Sequence, residues 1–195
     1  MALTIRYRTA MSTLTRSDWA DAALAAIVEG GLAAVAVEPL ARSLGTTKGS
    51  FYWHFANRDA LLDAALHQWE QEHTEAVIVR VGTEPDPKRR LHLLLSTAIA
   101  MAQQDVIDAA VLAHARHPAV APVLSRVTQR RVGYLAELFA ELGFSPARAR
   151  DRGLLAYTAY LGQSQLIQAG LSVPARGPEG RRYVDRVVRI LTAPD

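Results

Sequence analysis

Apolar residues recur along this chain at the three-and-four spacing of an α-helix, and no stretch shows the strict alternation of a half-buried strand. Trp19, Ala23, Ala26 and Ile27 fall on one face of a helix expected from about Ser17 to Glu29, which the pair Gly30-Gly31 ends. Val37, Leu40, Ala41 and Leu44 then repeat at i, i+3, i+4 and i+7 until Gly45 supplies a left-handed stop. Thr47 is placed to cap the helix that follows, and Phe51 and Phe55, one turn apart, anchor that helix to a core. Asn57 caps a longer helix, from Arg58 to about Val81, with Leu61, Leu62, Ala65, Leu66 and Trp69 on its inner face.

The stretch GTEPDP breaks that helix, and a new one begins at Lys88 and runs through LHLLLSTAIAMAQ. A shorter helix is expected from Val106 to Arg116, ending at HPAVAP. Val120, Val123, Leu124, Val127, Tyr134, Leu135, Leu138 and Leu142 mark another long amphipathic helix that Gly143 closes. Ser145 is placed to cap a helix with Pro146 at its first position, running to Gly170. After the loop SVPARGP a last helix, about Glu179 to Leu191, sets Tyr183, Val184, Val187, Val188 and Leu191 opposite Arg181, Arg182, Arg186 and Arg189. The pattern predicts an all-α chain of about nine helices in two packed units.

The segment from Val37 to Leu62 has the outline of a DNA reader: two short helices joined by a tight turn, then a longer third. With Phe51 and Phe55 turned inward, the second helix leaves Thr46, Lys48, Ser50, Tyr52, Trp53 and His54 on its free face. That mixture of cation, hydroxyls and aromatic rings suits phosphates, base edges and thymine methyls. Tyr52 and Trp53 are adjacent, so both cannot be core. Thr47 either caps this helix or meets the DNA itself.

The stretch LGTTKGSFYWHFANRDALLDA resembles the helix-turn-helix of the TetR family of transcriptional regulators, and the resemblance covers roughly Leu14 to Trp69. It implies a DNA-binding domain over residues 1–60 and a ligand-binding, dimerising helical domain over residues 61–195. It also implies a phosphate contact at Tyr52, DNA contacts at Trp53 and His54, and a basic phosphate anchor at Arg58. Two positions depart from the family pattern. Ala36 stands where a capping Thr is usual, a loss of about 1 kcal/mol by itself, and Pro39 falls within the first turn, where its missing N–H breaks no intrahelical bond.

Composition narrows the field. The 195 residues include no cysteine, which excludes disulfides, thiolate metal sites and thiol redox sensing. No run is long enough to span a bilayer, and residues 1–15 lack the apolar middle and cleavage site of a signal peptide, so a cytoplasmic protein without a membrane partner is expected. The net charge of +3 is modest, so position matters more than total. Arg6, Arg8 and Arg16 precede the first acid, Asp18, and form either an arm for a minor groove or phosphates, or a solvated tail. Arginine outnumbers lysine twenty to two and alanine is abundant, a bias that points to a GC-rich bacterial genome.

His67 and His73 are six apart and His114 and His117 three apart, with no carboxylate completing a familiar metal spacing, so neither metal nor cofactor is expected. His114 is expected to meet terminal carbonyls or water. Trp69, His73, Met101, His114, Tyr134, Tyr157, Tyr160 and Gln163 interrupt apolar faces. Each alone reads more readily as core or surface, but together they are the candidate lining of the small-molecule pocket that the resemblance implies. Asp105 and Asp108 read as helix-terminal charges, and the chain has neither a phosphate-cradling glycine loop, nor GxSxG, nor a recognisable acid pair. The resulting expectation is a ligand-responsive repressor rather than an enzyme. It binds a palindromic double-stranded operator as a homodimer through its last two long helices, Pro146 to Gly170 and Glu179 to Leu191, and is released by an unidentified small-molecule effector. An activator, a regulator controlled by a protein partner, a helical small-molecule-binding protein and an enzyme are the alternatives.

Overall fold

The structure, a computed structural model, describes residues 14–104, 106–174 and 177–194. Among these residues there is no strand, and nine helices follow one another: α1 (Arg16–Gly30), α2 (Val37–Ser43), α3 (Lys48–His54), α4 (58–82), α5 (Pro87–Gln104), α6 (Ile107–Leu112), α7 (Ala121–Glu141), α8 (Pro146–Gln168) and α9 (Gly177–Leu191). The helix at the sixth position is shorter than the apolar pattern implied; turns replace it from residue 113 on. Arg6, Arg8 and Asp105 lie outside the described residues.

The first three helices are fixed by local chemistry. Thr15 and Asp18 form a reciprocal capping box at the start of α1. Gly45, at φ +65°, turns the chain between α2 and α3, a backbone conformation that a side chain would strain. Thr47 Oγ1 accepts the Ser50 N–H at 3.3 Å and caps α3. No side chain caps α2 at Ala36. Pro39, at the third position of that helix, lacks one of the N–H groups a capping hydroxyl would serve, so less is lost there than at an ordinary helix start. The expected cap at Ser145 also does not form, although Pro146 does open α8.

Apolar side chains gather in two clusters. One packs Trp19, Ile27, Leu40, Phe51, Phe55, Leu62 and Trp69 together and draws in Ile107, Val111, Val123 and Val127 from α6 and α7. Trp19 meets Phe51 edge-on at 5.3 Å and Phe51 stacks on Phe55 at 5.7 Å, so the reading helix is rooted by two rings that each contribute about 1.5–3 kcal/mol of burial. The other cluster joins Val77, Val81, Leu91, Leu138, Phe139, Tyr157, Val184 and Val188 from α4, α5, α7, α8 and α9. In it α7 and α8 cross closely at Gly153, where an added Cβ would come within 2.9 Å of the Ala136 backbone nitrogen.

α4 belongs to both clusters and changes gauge between them. Arg58–Glu70 is α-helical, Gln71–Glu75 widens to a π turn, and Ala76–Gly82 resumes the α-helix. Residues five apart lie about 140° apart around a regular helix but come onto one side of a π turn. Glu70 and Glu75 both therefore meet α7: Arg126 holds Glu70 with two bonds of 2.7 and 2.5 Å, and Arg130 reaches Glu75 at 3.1 Å. No periodicity of apolar positions marks this turn.

Candidate functional site

The exposed face of α3 is built from the residues left over once Phe51 and Phe55 are buried. Trp53 is 89% exposed and Tyr52 55% exposed, so neither ring is held in the core. An indole that lies almost wholly in water beside a phenol has no folding role in the single chain and is available to a partner surface. Lys48 is exposed beside them, with Nζ 2.9 Å from Glu38 Oε1 on α2. That hydrogen bond lowers the Glu38 carboxyl and raises the Lys48 ammonium from their ordinary ranges. Thr46 and Ser50 are half-buried and Thr47 is exposed while serving as the cap.

Arg58, expected as a phosphate anchor, and Arg16, expected in either a DNA-reaching arm or a solvated tail, are both engaged with the fold. Arg16 is the first residue of α1, not part of a free arm: its guanidinium donates to the His54 carbonyl at the end of α3 and lies over the Phe55 ring at 4.3 Å. Arg58 donates to the carbonyls of Val35 at 2.6 Å and Leu32 at 2.5 Å, tying the α1–α2 connection to the start of α4. A guanidinium has five N–H donors, and Arg58 turns a further nitrogen toward exposed Asp59 at 3.6 Å.

A second site lies in the body. α4, α5, α6, α7 and α8 enclose a cavity of about 70 Å³, with Val77, Ile78, Leu94, Leu95, Ala98 and Met101 on its apolar side. Its polar side is organised on Asp108. Arg131 Nη1 donates to Asp108 Oδ2 at 2.6 Å, the Tyr160 hydroxyl donates to the same oxygen at 2.8 Å, and Trp69 Nε1 donates to Oδ1 at 2.7 Å. His73 Nδ1 stands 3.8 Å from Oδ1. Arg131 also donates to Thr74 Oγ1 at 2.9 Å and to the His73 carbonyl at 3.1 Å, both in the π turn.

Burial alone would raise the Asp108 carboxyl, but the adjacent Arg131 charge and the donated hydrogen bonds outweigh it and hold the group below its usual range. Burial raises the Tyr160 phenol, and the neighbouring Asp108 charge adds to that. The wall is therefore an ionised, internally satisfied pair with a neutral phenol.

Five of the residues expected at a pocket line this cavity: His73, Met101, Tyr134, Tyr157 and Tyr160. Trp69 stands behind it, holding Asp108. His114 is not among its lining residues; rather than meeting a helix-end carbonyl or only water, its Nε2 accepts the Leu32 N–H at 3.4 Å, in the connection that Arg58 also holds. Gln163 is buried against Tyr183, whose hydroxyl lies 3.4 Å from Gln163 Oε1. Asp108 requires a correction: although it does stand in the first turn of its helix, its carboxylate is the centre of the cavity's polar wall. Sequence reasoning also missed Arg131. The i, i+4 and i+5 run of Arg126, Arg130 and Arg131 within an amphipathic helix was the available signal. Among the described residues no three His, Asp or Glu side chains gather in a metal-binding group, and no helix is long and apolar enough to cross a membrane.

Residues 20–65 match the model of the bacterial regulatory proteins, tetR family. The HTH-type transcriptional regulator BetI 2 of Chromohalobacter salexigens is 32% identical over 83 residues, 43% of this chain and 40% of that protein. The aligned segment thus spans less than half of that curated relative. The fold extends the likeness: the structure of AibR in complex with isovaleryl coenzyme A and operator DNA superposes with a TM-score of 0.66 at 18% identity, over 92% of this chain and 99% of that one. The regulator FadR of Bacillus subtilis, in complex with stearoyl-CoA, superposes with a TM-score of 0.66 at 14% identity, over 92% and 98%. At such identities these two structures speak for the fold alone. The segment from α1 to α4 is thus similar to bacterial regulatory proteins of the tetR family, and the all-helical fold is shared with these two solved regulators.

Proposed function

We propose that this protein is a homodimeric repressor that binds a palindromic operator through α3 of each protomer and is released by a small molecule held in the body cavity. The observation that carries the reading is the exposed Tyr52–Trp53 pair beside Lys48, on a helix rooted by buried Phe51 and Phe55. In this reading residues 1–60 bind DNA in the cytoplasm, with Trp53, His54, Thr46 and Ser50 toward bases and Thr47, Lys48, Tyr52 and Arg58 toward the backbone. Residues 61–195 bind the effector and the second protomer.

The dimer contact falls to α8 and α9. On α8, Leu155, Ala159, Gly162 and Leu166 are exposed and recur at i, i+4, i+7 and i+11, and Ile190 of α9 is 67% exposed. A second copy of the same face covers such a stripe by two-fold symmetry. The lever is α4, which begins at Arg58 beside the reader and passes His73, Thr74, Val77 and Ile78 along the cavity. A molecule that widens the cavity displaces α4 on its apolar side and so changes the spacing of the two α3 helices, to the extent that it prefers the widened state.

The test is selection from a randomised duplex library at about 0.15 M salt, followed by sequencing of the bound fraction. Enrichment of an inverted repeat is expected. A folded, dimeric protein that enriches no motif would overturn the reading.

A further inference from the structure

The polar wall of the cavity is costly to build and leaves no charge for a ligand. Arg131 is the one full cation among the described residues lining the cavity, and its side chain is only 14% exposed. Its donors go to both oxygens of Asp108, to Thr74 Oγ1 and to the His73 carbonyl. Asp108, 15% exposed, in turn has its oxygens filled by Arg131, Tyr160 and Trp69. A carboxylate or phosphate entering this space would lose its hydration and find the local positive charge already neutralised, with Asp108 close enough to repel it. The rest of the lining is aliphatic and aromatic. Tyr134 contributes to it, and its buried hydroxyl has no hydrogen-bond partner among the described residues.

Accepting the reading above that the cavity receives the effector, we infer that it selects small, uncharged, predominantly apolar molecules and rejects carboxylates and phosphorylated carriers, with the Asp108–Arg131 pair setting that selectivity. The cavity's size points the same way. At about 70 Å³ it is smaller than the roughly 150 Å³ engineered cavity that holds one benzene ring. The apolar side chains of α4 and α5 must yield to admit anything larger, whereas the ion pair is braced from α4, α6, α7 and α8.

The chain has three methionines, and Met101, the one among the described residues, lines the cavity. Full-length protein labelled with carbon-13 at the methionine methyls is titrated with butanol, butyrate and butyryl-CoA at pH 7, and the Met101 resonance is followed. Butanol is expected to shift it saturably, with butyrate and butyryl-CoA at least about tenfold weaker, the equivalent of one hydrogen bond to a charged group. Asp108→Asn leaves Arg131 unneutralised and should raise the butyrate-to-butanol affinity ratio by about the same factor. The wild-type comparison decides the matter even if that variant does not fold. Butyrate or butyryl-CoA acting at lower concentration than butanol would overturn the inference while supporting the cavity as the effector site. No Met101 response to any probe, extended to the eight-carbon alcohol and acid, would remove the cavity reading and the inference with it.

Discussion

The reader and the body use charge and aromatic side chains in opposite ways. On α3, Lys48, Tyr52 and Trp53 are exposed, and the only ion pair among them, Lys48 with Glu38, is solvated and adds little stability. Around the cavity, Arg131, Asp108, Trp69 and Tyr160 are largely buried and satisfy one another. The α3 groups proposed to meet DNA are thus left largely unused by the fold, whereas the groups around the cavity are bound into it. Substitutions in the two regions should accordingly separate binding from stability.

The largest separation is expected at Arg131. Arg131→Met leaves Asp108 in a largely buried place without its counter-charge, a loss of about 3–5 kcal/mol that urea unfolding should show. The pH dependence should also change sign. In the wild type the Asp108 carboxyl is held below the ordinary carboxylate range, so its contribution is fully present above that range and fades as the pH falls through the folded pKa. In the variant, burial without a partner raises that pKa, so mild acidification stabilises the protein. Equal destabilisation at all pH values would show that the pair does not matter electrostatically.

Gly153→Ala comes next. Its Cβ meets backbone rather than a movable side chain, and overpacking of this kind costs about 1–3 kcal/mol. Thermal unfolding should report that loss, while DNA binding by the remaining folded protein is retained. A neutral result would mean that α7 and α8 can move apart freely at this crossing.

In the reader the order reverses. Trp53→Ala should leave stability within about 0.5 kcal/mol and weaken the selected site by about 1–3 kcal/mol relative to scrambled DNA. Lys48→Ala should weaken both duplexes alike and lower the salt slope by about 0.9. Glu38→Gln, which frees Lys48 and removes a carboxylate beside it, should tighten binding to both by a smaller amount. If Trp53→Ala unfolds the protein instead, the exposed indole has a structural role that the single chain does not reveal.

This contrast also explains what was legible in the sequence. The reader is local: its caps, its turn at Gly45 and its core rings Phe51 and Phe55 lie within a few residues of the groups they position, so the spacing alone gave both the elements and the free face. The cavity is assembled from residues far apart in the chain. Asp108 takes donors from positions 69, 131 and 160, and in isolation it reads as an ordinary acid in the first turn of a short helix. Aromatic interruptions such as Tyr134, Tyr157 and Tyr160 were visible because they break an apolar face. The ion pair was not, because periodicity carries no information on which charge meets which. The π turn escaped for a related reason: its purpose, bringing Glu70 and Glu75 to one partner helix, exists only once α7 is in place.

The central claim, that the exposed face of α3 reads sequence as part of a dimer, is tested most directly by fluorescence anisotropy. The labelled duplex from selection and a scrambled duplex of the same length are titrated with protein across a range of salt concentrations. Two protomers are expected per inverted repeat, with a preference over scrambled DNA of about a thousandfold or more and both affinities falling as salt rises. Equal affinity for the two duplexes, from protein shown to be folded, would contradict the claim.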